Sequence, residues 1–190
     1  MPCSFFQRDR NPSLRARPFA LGALAVLMWA SLNGLAFAAA DEYDIKAAFL
    51  LNFADYVEWP AGSGPRPDAP VRICLVGVDP FGARIDRLLA ARSTAKRALI
   101  LHRIDLPTAA QGCHIAFVNP PQPSMAKGYL QRLPAGAILT VGEGAAFADD
   151  GMIALHMVQG RVRLIINLAQ ARREQIQLSS RLLSLAQVRE

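Results

Sequence analysis

A chain of 190 residues, 52% hydrophobic and 19% charged, is long enough for one domain with a substantial core and too apolar to be disordered. The formal net charge of +6 is split evenly: residues 1–40 hold Arg8, Arg10, Arg15 and Arg17 against Asp9, and residues 41–190 hold 17 bases against 14 acids. The latter bases are spread out, with no run of five or more, which argues against a nucleic-acid-binding protein.

The first forty residues read as a targeting segment. Met1–Pro18 is polar and arginine-bearing, Phe19–Trp29 is apolar and uncharged, and small residues follow to Ala40. This order predicts a secretory signal peptide over residues 1–40 and a mature domain over 41–190, with cleavage after Ala38 or Ala40. An uncleaved anchor is the alternative, because the uncharged stretch Phe19–Ala40 is 22 residues long. Asn33, Gly34 and the alanine-rich end weaken it as a permanent span. No second apolar stretch of that length follows, so the mature chain is expected not to insert into a membrane.

The mature chain opens with a helix over Asp44–Trp59, where Ile45, Phe49, Phe53, Tyr56 and Val57 recur at helical spacing before Pro60. Residues 61–70 are rich in proline and glycine and read as a loop. Val71–Val78 is a strand. Asp79-Pro80 caps a helix over Phe81–Ala91, and Ala98–Ile104 is the second strand. A short helix from Asp105 ends before Gly112, and Cys113–Val118 is the third strand. Ser124 caps a helix through Leu133, Ala137–Val141 is the fourth strand, and a helical turn follows near Phe147. Met152–Val158 and Arg161–Ile166 flank Gln159-Gly160 and predict an antiparallel hairpin. Asn167 caps a helix over Leu168–Glu174, and Ser179 or Ser180 caps a last one over Arg181–Val188. The predicted fold is therefore a single α/β domain. It has a mainly parallel sheet with helices on both faces, followed by a C-terminal antiparallel hairpin and terminal helices.

Cys74 and Cys113 remain after removal of the leader, which contains Cys3. In an oxidising compartment an even count suggests one disulfide, here between the first and third strands, which neighbour each other in a doubly wound sheet of order 2-1-3. Two buried free thiols are the alternative.

Catalytic patterns are absent from the sequence. The turn Gly77-Val78-Asp79-Pro80-Phe81-Gly82 opens a helix after a strand but lacks the glycine spacing and lysine of phosphate-binding loops, and reads as a capped corner. His102, His114 and His156 fall in no metal-ligand spacing. No nucleophile elbow occurs, and Ser179-Ser180 reads as a helix cap. No cofactor is expected. A small-ligand module or unrecognised enzyme is the competing reading, with its site at the strand carboxyl ends near Asp79, Asn119 and Glu143.

Several segments in order resemble one family. Lys46–Phe53 with Val57-Glu58-Trp59-Pro60 looks like the opening helix of YfiR-type periplasmic proteins. Val76–Gly82, Gly112–Phe117, Leu139-Thr140-Val141 and Gly151-Met152-Ile153 follow as in that family. Ile166-Asn167-Leu168-Ala169 and Leu178–Ala186 complete the likeness. The resemblance implies a periplasmic repressor, not an enzyme. Such a protein binds the periplasmic sensor part of a membrane-bound diguanylate cyclase and restrains cyclic-di-GMP synthesis and biofilm formation. Some relatives carry a second cysteine pair near the fourth strand and hairpin, whereas Ala145–Leu155 contains none here, so a redox switch built on that pair is not expected. A homodimer is an open alternative.

The expected partner surface runs from Phe147 through the hairpin to Leu185, with Phe147, Ile153, Leu182 and Leu185 as candidate contacts. The hairpin lies outside the β-α-β core, near a sheet edge. Leu182, Leu183 and Leu185 do not fit one buried helical face. Closure of the core by all three leucines is the alternative.

Overall fold

A computed structural model describes residues 42–92 and 97–190. The predicted leader, its cleavage site and Cys3 lie outside the described residues. Helix α1 (residues 42–52) starts the domain and tightens into a 3-10 turn at Phe53–Asp55. The chain then straightens into a two-residue strand β1 (Val57–Glu58), so the predicted helix stops well before Trp59. Tyr56 ends it: its backbone leaves the helical region, and Val57 pairs with Leu178 of a distant strand β8 (Gln177–Leu178). This small second sheet is a tertiary contact that the local pattern at 44–59 does not contain.

The alternating segment follows the predicted order. β2 (Val71–Gly77), α2 (Ala83–Ala90), β3 (Leu99–Ile104), β4 (Ile115–Asn119), α3 (Ala126–Gln131), β5 (Leu139–Glu143) and α4 (Phe147–Asp150) succeed one another. The hairpin is β6 (Ile153–Val158) with β7 (Arg161–Asn167), bent at Gln159-Gly160, both with positive φ as a tight turn requires. α5 (Leu168–Arg173) and α6 (Ser180–Leu183) come next, and β9 (Ala186–Arg189) closes the chain. The helix expected from Asp105 is only a 3-10 turn, Pro107–Ala109, and the one expected from Ser124 begins as a 3-10 turn, Pro123–Met125, that leads into α3. Neither turn has a side-chain cap to its backbone.

Seven strands form one sheet in the order β3-β2-β4-β5-β6-β7-β9. β3, β2, β4, β5 and β6 run parallel, β7 turns antiparallel to β6, and β9 lies parallel to β7. The mainly parallel sheet with its antiparallel hairpin is as predicted. The last helix is not: it lasts one turn, and residues 186–189 extend to pair with Leu164–Asn167. Ala186-Gln187-Val188-Arg189 alternates apolar and polar, a period-2 pattern too short to outvote the helix-favouring leucines before it.

Strand side chains alternate between two packed layers. Ile73, Leu75, Ile115, Phe117, Leu139, Val141, Ile153, Leu155, Leu164 and Ile166 face the layer that receives α1, α2, α5 and α6. Cys74, Val76, Ala116, Val118, Ala154 and Ile165 face the other, under α3 and α4. A sheet buried on both sides explains why its central strands read as continuous apolar runs.

Candidate functional site

In a sheet of this order the crevice for ligands lies beyond the carboxyl ends of β2 and β4, neighbours whose connections leave in opposite directions, to β3 and to β5. The polar residues expected there are present but already engaged. Asp79 accepts backbone N–H bonds from Phe81 (2.7 Å) and Gly82 (3.1 Å) through Oδ1, and its Oδ2 accepts from Arg103 Nε at 2.7 Å. It therefore closes a turn before α2, and the helix proper starts at Ala83, two residues later than predicted. Arg103 on β3 also holds Asp86 at 2.7 Å. The guanidinium hydrogen bond lowers the Asp86 carboxyl below its ordinary value, and the two carboxylates raise Arg103 further. Asn119 Nδ2 donates to the Val78 carbonyl at 2.9 Å.

Glu143 meets a residue that the sequence reading passed over. Lys46 of α1 is only 3% exposed, and its Nζ lies 2.5 Å from Glu42 and 3.2 Å from Glu143, with the Tyr43 ring 4.7 Å below. Burial works against the ammonium, but Glu42 and Glu143 outweigh it and hold Lys46 above its ordinary value. Burial and then Glu143 push the Tyr43 phenol up. A lysine between apolar residues of an otherwise well-patterned helix was the available clue, since lysine is almost never buried unpaired. Beside this cluster a crevice of about 630 Å³ opens over the ends of β4 and β5, lined by Asn119, Lys127, Glu143 and Asp150 among others. Its lining acids pair with neighbours, Asp150 with Lys127 at 2.9 Å and Asp149 with Arg189 at 2.8 Å.

The cysteines lie away from that crevice, one in the middle of β2 and one before β4. Cys74 on β2 and Cys113, two residues before β4, are joined by a disulfide with Cα atoms 6.0 Å apart, within the range that geometry requires. Both are buried in the layer under α3 and α4. His114 follows directly. Its Nδ1 accepts the Arg72 backbone N–H at 2.9 Å, and its carbonyl accepts Trp59 Nε1–H at 3.2 Å. Burial, and then the Arg72 charge, lowers the His114 imidazole below its ordinary value.

The four expected partner contacts separate. Phe147, Ile153 and Leu182 are buried, and Leu185 is 66% exposed. Phe147 sits on Gly142 and Gly151, where an added Cβ would lie within 2.3 Å and 2.2 Å of its ring respectively. Ile153 opens β6 and is paired on both sides, with Val141 of β5 and Ile166 of β7. Leu182 points inward from α6. That helix ends at Leu183 and the chain turns into β9, so Leu185 leaves the helical face it was expected to share with Leu182. Three of the four thus build the core beneath the surface, and Leu185 alone stands on it.

Among the described residues no group of three or more His, Cys, Asp or Glu lies placed to hold a metal ion, and no helix is long and apolar enough to cross a membrane. Fold and site together define a doubly wound α/β domain with an antiparallel extension, with Asp79, Asn119 and Glu143 each engaged within the domain. The YfiR/HmsC-like family model matches residues 43–187, and the chain belongs to that family. Among curated proteins none matches the chain.

Proposed function

We propose that this chain is an exported periplasmic regulator that binds the periplasmic sensor domain of an inner-membrane diguanylate cyclase and restrains cyclic-di-GMP synthesis. The observation that carries it is membership of the YfiR/HmsC-like family over residues 43–187, nearly the whole mature domain. The engagement of Asp79 by Arg103, of Asn119 by the Val78 carbonyl and of Glu143 by Lys46 supports a binding role, since these three side chains serve to hold the domain together. The test has two arms. The protein, purified from the periplasm, is titrated with the periplasmic domains of its host's membrane diguanylate cyclases, and cyclic-di-GMP is measured after deletion of its gene. Saturable binding to one domain and a rise in the nucleotide are expected. No binding together with unchanged nucleotide sinks the proposal. Mass spectrometry of the exported protein is expected to show a chain starting at Ala39 or Asp41.

A small-ligand role is the second reading, and the crevice of about 630 Å³ at the ends of β4 and β5 favours it.

A further inference from the structure

Charge is distributed unevenly within the mature chain. Residues 151–190 hold six arginines (161, 163, 172, 173, 181 and 189) against Glu174 and Glu190, a net of +4. Residues 41–150 hold 11 bases against 12 acids, a net of −1. The fold brings part of this excess to one place. Arg161, Arg163 and Ile165 alternate onto one face of β7. Ile165 is buried under the helical layer, but that layer stops short of the hairpin tip, leaving both arginines exposed. His156 pairs with Arg163 across the hairpin, and Val158 with Arg161. Between this ribbon and residues 184–187 lies a notch of about 450 Å³ lined by His156, Val158, Arg163, Leu185 and Gln187 among others. Its apolar members stand open, Leu185 at 66% and Val158 at 40% exposure. Among the described residues neither Arg161 nor Arg163 has an acid within ion-pair distance.

We infer that this notch, at the junction of the β6–β7 hairpin with the start of β9, is a docking surface for an acidic, extended segment of a partner protein. Carboxylates would meet Arg161 and Arg163, and apolar side chains would cover Leu185 and Val158. Complementary charge fixes the sign of the occupant. A second copy of the chain is disfavoured, because a two-fold contact would set the same arginines against each other. A polypeptide is favoured over an anionic lipid surface by the backbone. The β7–β9 ladder begins only at Leu164, so Arg161, Val162 and Arg163 keep, on the side of β7 that faces the notch, strand-pairing groups that an added segment can use. This inference rests on the regulatory reading and adds the chemistry of the partner's contact segment.

The experiment uses the protein purified from the periplasm and three probes: a synthetic peptide of alternating Glu and Leu, vesicles of phosphatidylglycerol and phosphatidylcholine in equal parts, and the cyclase periplasmic domain. The peptide is expected to shift amide resonances in 156–163 and 184–187, with an affinity that falls as salt rises. The double substitution R161E/R163E is expected to weaken binding of peptide and cyclase domain at least about tenfold, with the melting temperature unchanged because both side chains are exposed. R161K/R163K, which keeps the charge, is expected to retain binding. Peptide shifts elsewhere or none at all overturn the inference. So does capture by the vesicles that depends on the arginines without a peptide response. A cyclase domain bound equally by R161E/R163E overturns this surface and leaves the regulatory role standing. Failure of every cyclase domain to bind, with the peptide response intact, overturns the regulatory role and leaves the surface.

Discussion

Two side chains show how a single group sets the behaviour of the domain. Lys46 joins α1 to the end of β5 through Glu143, in a position where solvent barely reaches its ammonium. Replacing it by methionine keeps the stem and removes the charge, leaving Glu42 and Glu143 facing each other without a cation. Lys46→Met is expected to lose about 1–3 kcal/mol, less than for a fully buried pair because both acids are partly in solvent. Urea denaturation measures it, and an unchanged midpoint counts against a structural role for the cluster. His114 acts through its protonation state. Its Nδ1 accepts a backbone hydrogen bond and so must carry no proton, and burial followed by Arg72 lowers its value below the ordinary 6.5. The unfolded chain therefore takes up the proton first on acidification. The contribution of His114 is full above the unfolded value and is lost as pH falls through the lowered folded one. Urea midpoints are expected to drop for the wild type from about pH 7 to about pH 5. The drop should be shallower in His114→Asn, whose amide oxygen can take the acceptor place.

At the scale of elements, close approaches decide where strands end and helices begin. β2 ends at Gly77, where φ is +92° and an added Cβ would lie 2.4 Å from the Asn119 carbonyl oxygen. That approach lets β2 and β4 finish together, with the Val78 N–H donating to Asn119 O at 2.8 Å. Gly77→Ala is expected to destabilise by about 1–3 kcal/mol through the disfavoured φ and the displaced strand end. Thermal melting checks it, and a neutral result places the conformational demand elsewhere. The caps behave as the side chains predict: Asn167 Oδ1 accepts from the Gln170 N–H at 2.9 Å, and Ser179 Oγ accepts from the Leu182 N–H at 3.3 Å.

For the whole molecule the largest constraint is covalent. The disulfide spans 39 positions and joins β2 to the loop that leads into β4, two neighbours in the middle of the sheet. Closing a loop of that length in the unfolded chain is worth about 4 kcal/mol in the chain-entropy model. Cys74→Ala with Cys113→Ala is expected to lower the urea midpoint correspondingly. Because both sulfurs are buried, reductant should act on the native protein only as fast as the domain opens locally. Rapid reduction at native conditions, followed by thiol labelling, would contradict the buried placement.

The sequence by itself determined the order of strands from Val71 to Asn167, every α-helix among them save that the one expected from Asp105 is a 3-10 turn, the hairpin at Gln159-Gly160, two helix caps and the two cysteines able to pair. All of these rest on local periodicity, turn chemistry or composition, which neighbours in the chain suffice to express. Tertiary structure alone decided the rest. Val57–Glu58 and Ala186–Arg189 became strands because distant segments offered backbone partners, overriding the helical pattern before each. Lys46 became part of an ion-paired cluster only when β5 placed Glu143 beside it. Phe147, Ile153 and Leu182 went inside while Leu185 stayed out, because burial depends on what packs above a residue and a short apolar run does not say which side that is. The arginines of the hairpin, spaced singly in the sequence, became a patch only when the helical layer ended before reaching them.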